Sequence, residues 1–233
     1  MGIRLRYEFR QAADGVLDIY LYSDVAPAEV SWLTDERFND EGSAEHFREL
    51  LEENRNAARI NLYVNSNGGD VKEGYGIYAM LKRHTAHKTA YVDGIAASIA
   101  SVICMACDEV RMYRNSMLYI HNMETGVWGN AQELRKAADD LDKMMEGNRQ
   151  IYLAKAGEKL TEEALRQMLD GGAWLTAVEA QSYGLCDTII DAPGGAEPSA
   201  AQQQAMLRMT QLLRQTHAKK ARVFNFTKIK EEK

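Results

Sequence analysis

Tyr91-Val92-Asp93-Gly94-Ile95-Ala96-Ala97-Ser98-Ile99-Ala100-Ser101 reads as the end of a β-strand, a glycine turn, and the start of an apolar helix with Ser98 near its N-terminus. A hydroxyl placed there faces the positive end of the helix dipole and backbone N–H groups without helical partners. Those features suit a nucleophile whose attack creates an oxyanion, because donors aimed at developing charge are usually the largest catalytic contribution. A small-residue helix packed tightly on a sheet has the same composition, so the neighbouring stretches decide between the two.

Upstream, Ile60-Asn61-Leu62-Tyr63-Val64-Asn65-Ser66-Asn67-Gly68-Gly69-Asp70-Val71 is a strand of buried type running into a double glycine. Downstream, Met117-Leu118-Tyr119-Ile120-His121-Asn122 is a short apolar strand that delivers a histidine into a loop. Together the three stretches supply a donor loop, a serine and a base, in that order. This set resembles the proteolytic subunit of the caseinolytic (Clp) protease family, in a strand–Asn-Ser-x-Gly-Gly turn, a Gly-x-Ala-Ala-Ser elbow and an Ile-His strand end. The resemblance runs from about Ile19 to Asp191. It implies a serine endopeptidase on an α/β fold, a Clp/crotonase-like superhelix of ββα units with a long handle helix, and needs neither cofactor nor metal.

The chain has 233 residues, 45% of them hydrophobic, enough for one domain with a sizeable core and a tail. It contains no run of eighteen apolar residues, and Met1-Gly2-Ile3-Arg4-Leu5-Arg6 lacks the apolar region of a signal peptide, so the expected compartment is the cytoplasm. Three cysteines make no disulfide framework. Cys104 and Cys107 form a Cys-x-x-Cys inside an apolar run without a second ligand pair, which marks them as core. The net charge is −6, yet residues 198–233 carry eight Lys/Arg against two Glu, +6, so the remainder sums to −12. A basic tail fits nucleic acid, its own acidic domain or solvent. Without an aromatic-and-basic platform, nucleic acid is the lesser reading.

Alternating strand and helix patterns continue along the chain. Ile3, Leu5, Tyr7 and Phe9 share one face of a strand; Ala13-Asp14-Gly15 is a turn; a second strand follows from Val16. Ser43 caps a helix to Asn54 with Phe47, Leu50 and Leu51 buried, and a further helix covers Gly74 to Arg83. Lys88 to Val92, Glu109 to Tyr113 and Met117 to Ile120 are strands of a largely parallel sheet. From Asn130 to about Ala156, Leu134, Ala137, Leu141, Met144, Met145 and Tyr152 recur at helical spacing. A helix of ~27 residues spans ~40 Å, longer than a small core requires. The resemblance makes it the handle through which rings stack, and so implies a homo-oligomer. Thr161 caps a short helix to Leu169. Ala173 to Ala180 and Tyr183 to Asp187 resemble the family's closing helix and its Gly-Leu-x-Asp strand. The expected organisation is a peptidase domain over 1–192 and, over 193–233, a linker with a partly helical basic tail.

Within this frame Ser98 is the candidate nucleophile and His121 its base, since a serine hydroxyl attacks poorly without one. By position in the motif, the main-chain N–H groups of Gly69 and Ile99 are the oxyanion donors, the glycine allowing close approach of the backbone. The resemblance places an acid two residues before an aromatic. Here that aromatic is Trp174 and the matching position is Gly172, which has no carboxylate. Asp170, in Leu169-Asp170-Gly171-Gly172, is the candidate acid, with a loop made flexible by its glycines. A Ser–His dyad oriented by a backbone carbonyl and a degraded site stay open.

Asp93-Gly94-Ile95-Ala96-Ala97-Ser98, Asn122 after the histidine, and Gly129-Asn130 opening the long helix look most like the viral branch, the head-maturation (prohead) proteases of phages and prophages. Their substrates are capsid and scaffold proteins. No nucleotide-binding loop is present, so ATP-driven unfolding requires a separate partner. A crotonase-type acyl-CoA enzyme shares the fold and a two-amide oxyanion hole, but relies on Glu or Asp where this chain offers Ser98 and His121. A non-catalytic relative that kept the fold is the remaining alternative.

Overall fold

The computed structural model describes residues 11–12, 15–31, 37–38 and 40–191. The strand expected over residues 3–9 and the linker and tail over 193–233 lie outside them. Strands β1 (Gln11–Ala12) and β2 (Val16–Leu21) are followed by the two-residue strands β3 (Glu29–Val30) and β4 (Arg37–Phe38), helix α1 (Ala44–Glu53), strand β5 (Arg59–Ser66) and helix α2 (Val71–Arg83). Then come β6 (His87–Ala97), α3 (Ile99–Cys104), β7 (Glu109–Tyr113), β8 (Met117–Ile120) and the long α4 (Ala131–Ala156). The chain continues with α5 (Glu162–Gly171), β9 (Ala173–Thr176), α6 (Ala177–Ser182) and β10 (Thr188–Ile190).

β2, β5, β6, β7 and β10 lie side by side in parallel, with β1 antiparallel at the edge. Leu17, Ile19 and Leu21 of β2 and Ile60, Leu62 and Val64 of β5 point to the same buried side, so the strict alternation in sequence becomes one face of the sheet. α1 buries Phe47, Leu50 and Leu51 as its spacing predicts, and Ser43 Oγ accepts the His46 N–H at its start. The Cys104–Cys107 run is core, with both thiols buried.

β6 departs from the expected strand, turn and helix. It runs eleven residues through Gly94 to Ala97. Its first half pairs with β7 through Thr89–Val92, and its second half pairs with β8 through Ile95–Ala97. Gly94 stands where the strand changes partner, and the glycine serves close approach rather than a turn: a Cβ there would lie 2.5 Å from Asn65 Oδ1. That oxygen accepts the Ile95 N–H at 3.2 Å.

Three further boundaries shift. α2 begins at Val71 rather than Gly74, because the Asp70 carboxylate accepts the Glu73 N–H at 2.9 Å and caps it. The segment expected to be one closing helix from Ala173 starts as strand β9, antiparallel to β8, and turns helical only at Ala177, where Thr176 and Glu179 form a capping box. The closing strand starts at Thr188, just after Asp187.

Candidate active site

Ser98 joins β6 to α3 with φ 52° and ψ −128°, the only positive φ of a non-glycine among the described residues. Such a conformation costs on the order of 1–3 kcal/mol and persists only where the surroundings enforce it. They do so at both ends of the residue. The Ser98 N–H donates to Tyr119 O at 2.8 Å. Its carbonyl accepts the Ser101 N–H at 3.0 Å and the Ser101 hydroxyl at 2.6 Å. With that single proton committed, Ser101 Oγ accepts from Tyr152 Oη at 2.7 Å, which anchors the elbow to buried Tyr152 of α4. The Ser98 side chain makes no capping bond to α3, so its hydroxyl stands at the head of the helix uncommitted to it. Sequence reading missed Ser101 and Tyr152: they lie 51 positions apart, and only packing joins them.

The Gly68–Gly69 loop lies directly against this elbow. A Cβ on Gly68 would sit 2.6 Å from Ala97 O, 2.8 Å from Ser98 Cβ and 3.1 Å from Ile99 N. Val25 holds the other side of the loop: its N–H donates to Gly68 O at 2.8 Å and its carbonyl accepts the Asp70 N–H at 2.6 Å. This parallel bridge turns the Gly69 N–H to the side away from Val25. Gly69 has φ 144°, and a Cβ there would lie 2.1 Å from Val25 O, so only glycine fits. Ser66 Oγ braces the loop, accepting the Gly68 N–H at 3.1 Å and donating to Ser23 O. Ile99, first residue of α3, has an N–H that helical bonding does not use. The two expected donors, Gly69 and Ile99, therefore lie on loops in contact around Ser98.

β8 brings in the histidine. Tyr119 is the partner of Ala97 across the β6–β8 pair, and His121 follows the end of β8, so serine and histidine leave neighbouring strand ends. Leu118 and Ile120 point into the core, which turns Tyr119 and His121 together to the opposite side. Their rings stack with centroids 5.1 Å apart and planes at 21°. On its other side Tyr119 stacks on Trp174, its antiparallel partner in β9, at 4.6 Å and 26°. Burial raises the Tyr119 phenol above its ordinary range, and the nearby Glu124 charge adds to this, so the ring stays neutral.

Asp170 lies in the last turn of α5 rather than in a flexible loop, because the helix runs on through Gly171 and ends at Gly172, φ 64°. Its carboxylate accepts the Asn122 Nδ2 donor at 2.7 Å. The Asn122 N–H donates to Leu169 O at 3.2 Å, so the residue after the histidine is tied twice to α5. The other described histidines serve structure: His84 Nδ1 accepts the Ala86 N–H, while His46 and His87 lie 3.9 Å and 3.7 Å from Asp40 and Asp108. Asp187 accepts from Val110 N–H and Lys155 Nζ, each at 2.7 Å, and joins β7 to α4.

A cleft of about 600 Å³ opens beside Gly69. The start of α2, residues 123–127 and the face of α4 carrying Ala137, Leu141 and Met144 form its walls. Among the described residues, no group of three or more His, Cys, Asp or Glu is placed to hold a metal ion. Burial pushes the Cys107 thiol up to about 12 and Cys186 up to about 11, leaving both inert at neutral pH.

The family profile described as Clp protease matches residues 31–193. The chain belongs to the Clp protease family. Among curated Clp relatives, the ATP-dependent Clp protease proteolytic subunit 1 of Chlamydia abortus is 29% identical over 161 residues, 66% of this chain and 83% of the relative. The corresponding subunit of Protochlamydia amoebophila is 31% identical over 159 residues, 65% of this chain and 76% of its own length. A solved structure of a ClpP1 point mutant from Listeria monocytogenes superposes with TM-score 0.62 at 22% identity, covering 76% of this chain and 92% of that one. The α/β architecture with its long helix is thus the Clp fold, and Clp proteolytic subunits are serine peptidases.

Proposed function

We propose that this protein is a serine endopeptidase in which Ser98 attacks the scissile carbonyl and His121 takes and returns the proton. Gly69 and Ile99 N–H groups hold the oxyanion, and Asp170 acts through Asn122 on the histidine's loop. The observation that carries this reading is the strained Ser98 elbow, locked at both ends and touched by a loop that admits only glycine. Peptide bound in the cleft beside Gly69 would present its carbonyl to that elbow. The N-terminal half of α4 supports assembly through the handle: Leu134 and Met144 are exposed there, and Val127 and fully exposed Trp128 precede it. An apolar surface of that kind suits a second copy of the chain, in a homo-oligomeric ring enclosing the serines.

For substrate, the Tyr119-Ile120-His121-Asn122 and Asp93-to-Ser98 patterns favour the head-maturation branch, hence capsid and scaffold proteins. The printed names of the relatives favour a second reading, a proteolytic subunit fed by a separate ATPase. No helix among the described residues is long and apolar enough to cross a membrane, consistent with either. Incubating the protein with the capsid and scaffold products encoded beside it separates the two. Discrete cleavage without ATP supports the first. Cleavage only with an ATPase and nucleotide supports the second.

A further inference from the structure

We propose that Tyr119 is the positioning residue of the site: its ring fixes the plane of the His121 imidazole, and its hydroxyl fills the space into which a side chain at 172 would project. The inference deepens the reading above and rests on Ser98 and His121 being the reacting pair. An imidazole has a broad second torsion and needs a neighbour to hold its plane while it accepts a proton. The recorded partner of the Asp170 carboxylate is Asn122, so another group must set that plane. The Tyr119 ring does so at 5.1 Å and 21°. Tyr119 is itself immobile: it is 9% exposed, its other face stacks on Trp174, and its carbonyl is bonded to Ser98 N–H. The electron-rich face of the phenol also favours the imidazolium that forms when the serine proton is transferred.

The hydroxyl end supplies an independent observation. A Cβ built on Gly172 would lie 2.7 Å from Tyr119 Oη and 3.5 Å from its Cζ, and the backbone there has φ 64°. The phenol and a side chain at 172 exclude each other. Tyr119 therefore joins the nucleophile through its main chain, the base through its ring and the α5–β9 turn through its hydroxyl.

The test measures the rate of Ser98 modification by a fluorophosphonate, resolved into a binding constant and a maximal rate, together with thermal unfolding. Tyr119→Phe keeps the stacked ring and should retain at least about a third of the maximal rate. Tyr119→Leu should lower the maximal rate about tenfold or more with the binding constant little changed, as expected when a reacting group is misaligned. Gly172→Ala should lower both melting temperature and rate, and should cost clearly less in the Tyr119→Phe background, where the hydroxyl is gone. That comparison decides the matter even if Tyr119→Leu fails to fold. A folded Tyr119→Leu that reacts within threefold of wild type, or a Gly172→Ala cost equal in both backgrounds, overturns the proposal alone. A wild-type protein that reacts nowhere at Ser98 overturns the peptidase reading, and this proposal with it.

Discussion

The main-chain carbonyl of Tyr119 accepts the Ser98 N–H at 2.8 Å, so the strand that carries the base is bonded directly to the residue that carries the nucleophile. Neither can shift along the sheet without the other. Serine, histidine and glycine loop meet because β6 changes partners at Gly94, leaving its last residues free to pair with β8.

Buried Tyr152 should tune this elbow from a distance. Tyr152→Phe removes one buried hydrogen bond and should cost about 1 kcal/mol in stability, with turnover down severalfold. Ser101→Ala should cost more, about 2 kcal/mol, since the Tyr152 hydroxyl is then buried without a partner. Chemical denaturation and peptide hydrolysis of both variants read this ordering directly. Equal costs would contradict the hydrogen-bond chain.

Gly69 should tolerate no side chain. Gly69→Ala forces a Cβ into Val25 O at a φ that L residues rarely adopt, and displaces the loop whose N–H faces the cleft. A destabilisation above about 2 kcal/mol and loss of Ser98 reactivity are expected. Retained reactivity would remove Gly69 from the oxyanion hole.

Asp170 distinguishes a triad from a pair. Because its carboxylate is bonded to Asn122 Nδ2, Asp170→Ala should cost no more than about tenfold in turnover, through the 121–123 loop. A loss of about three to four orders of magnitude, as in triads whose acid orients the imidazole directly, would restore Asp170 to that role.

Acid sensitivity should track Asp108. Burial alone would raise its pKa, but the bonds and charge of buried Lys88 outweigh this, so its carboxyl lies below the ordinary 3.8. The Lys88 N–H and ammonium reach it at 2.7 and 3.2 Å. A carboxylate depressed in this way contributes stability that is complete above the unfolded pKa and disappears as pH falls through the folded one. Asp108→Asn should therefore destabilise the protein by about 1 kcal/mol at pH 7. Urea titrations should show the gap closing in strong acid and unchanged on the alkaline side.

Local chemistry made much of the fold legible. Ser43 with Phe47, Leu50 and Leu51 sets α1, and Asn130 with Glu133 forms the capping box that starts α4 where its apolar spacing begins. The start of α2 was equally available, since Asp70 followed by Glu73 is a helix-start pattern. What sequence withheld was set by partners far along the chain. Gly94 resembles a turn until Asn65 is seen against it, and Ala173–Thr176 resembles a helix until β8 pairs with it. The stack of His121, Tyr119 and Trp174 depends on that same pairing, so no local pattern announced Tyr119.

The central claim, that Ser98 is a nucleophile activated by His121, is tested most directly by fluorophosphonate labelling followed by peptide mapping of wild type, Ser98→Ala and His121→Ala. The account predicts one labelled residue, Ser98, with labelling abolished in Ser98→Ala and cut by at least about a hundredfold in His121→Ala. Labelling at another residue, or at Ser98 with equal speed in His121→Ala, would contradict it.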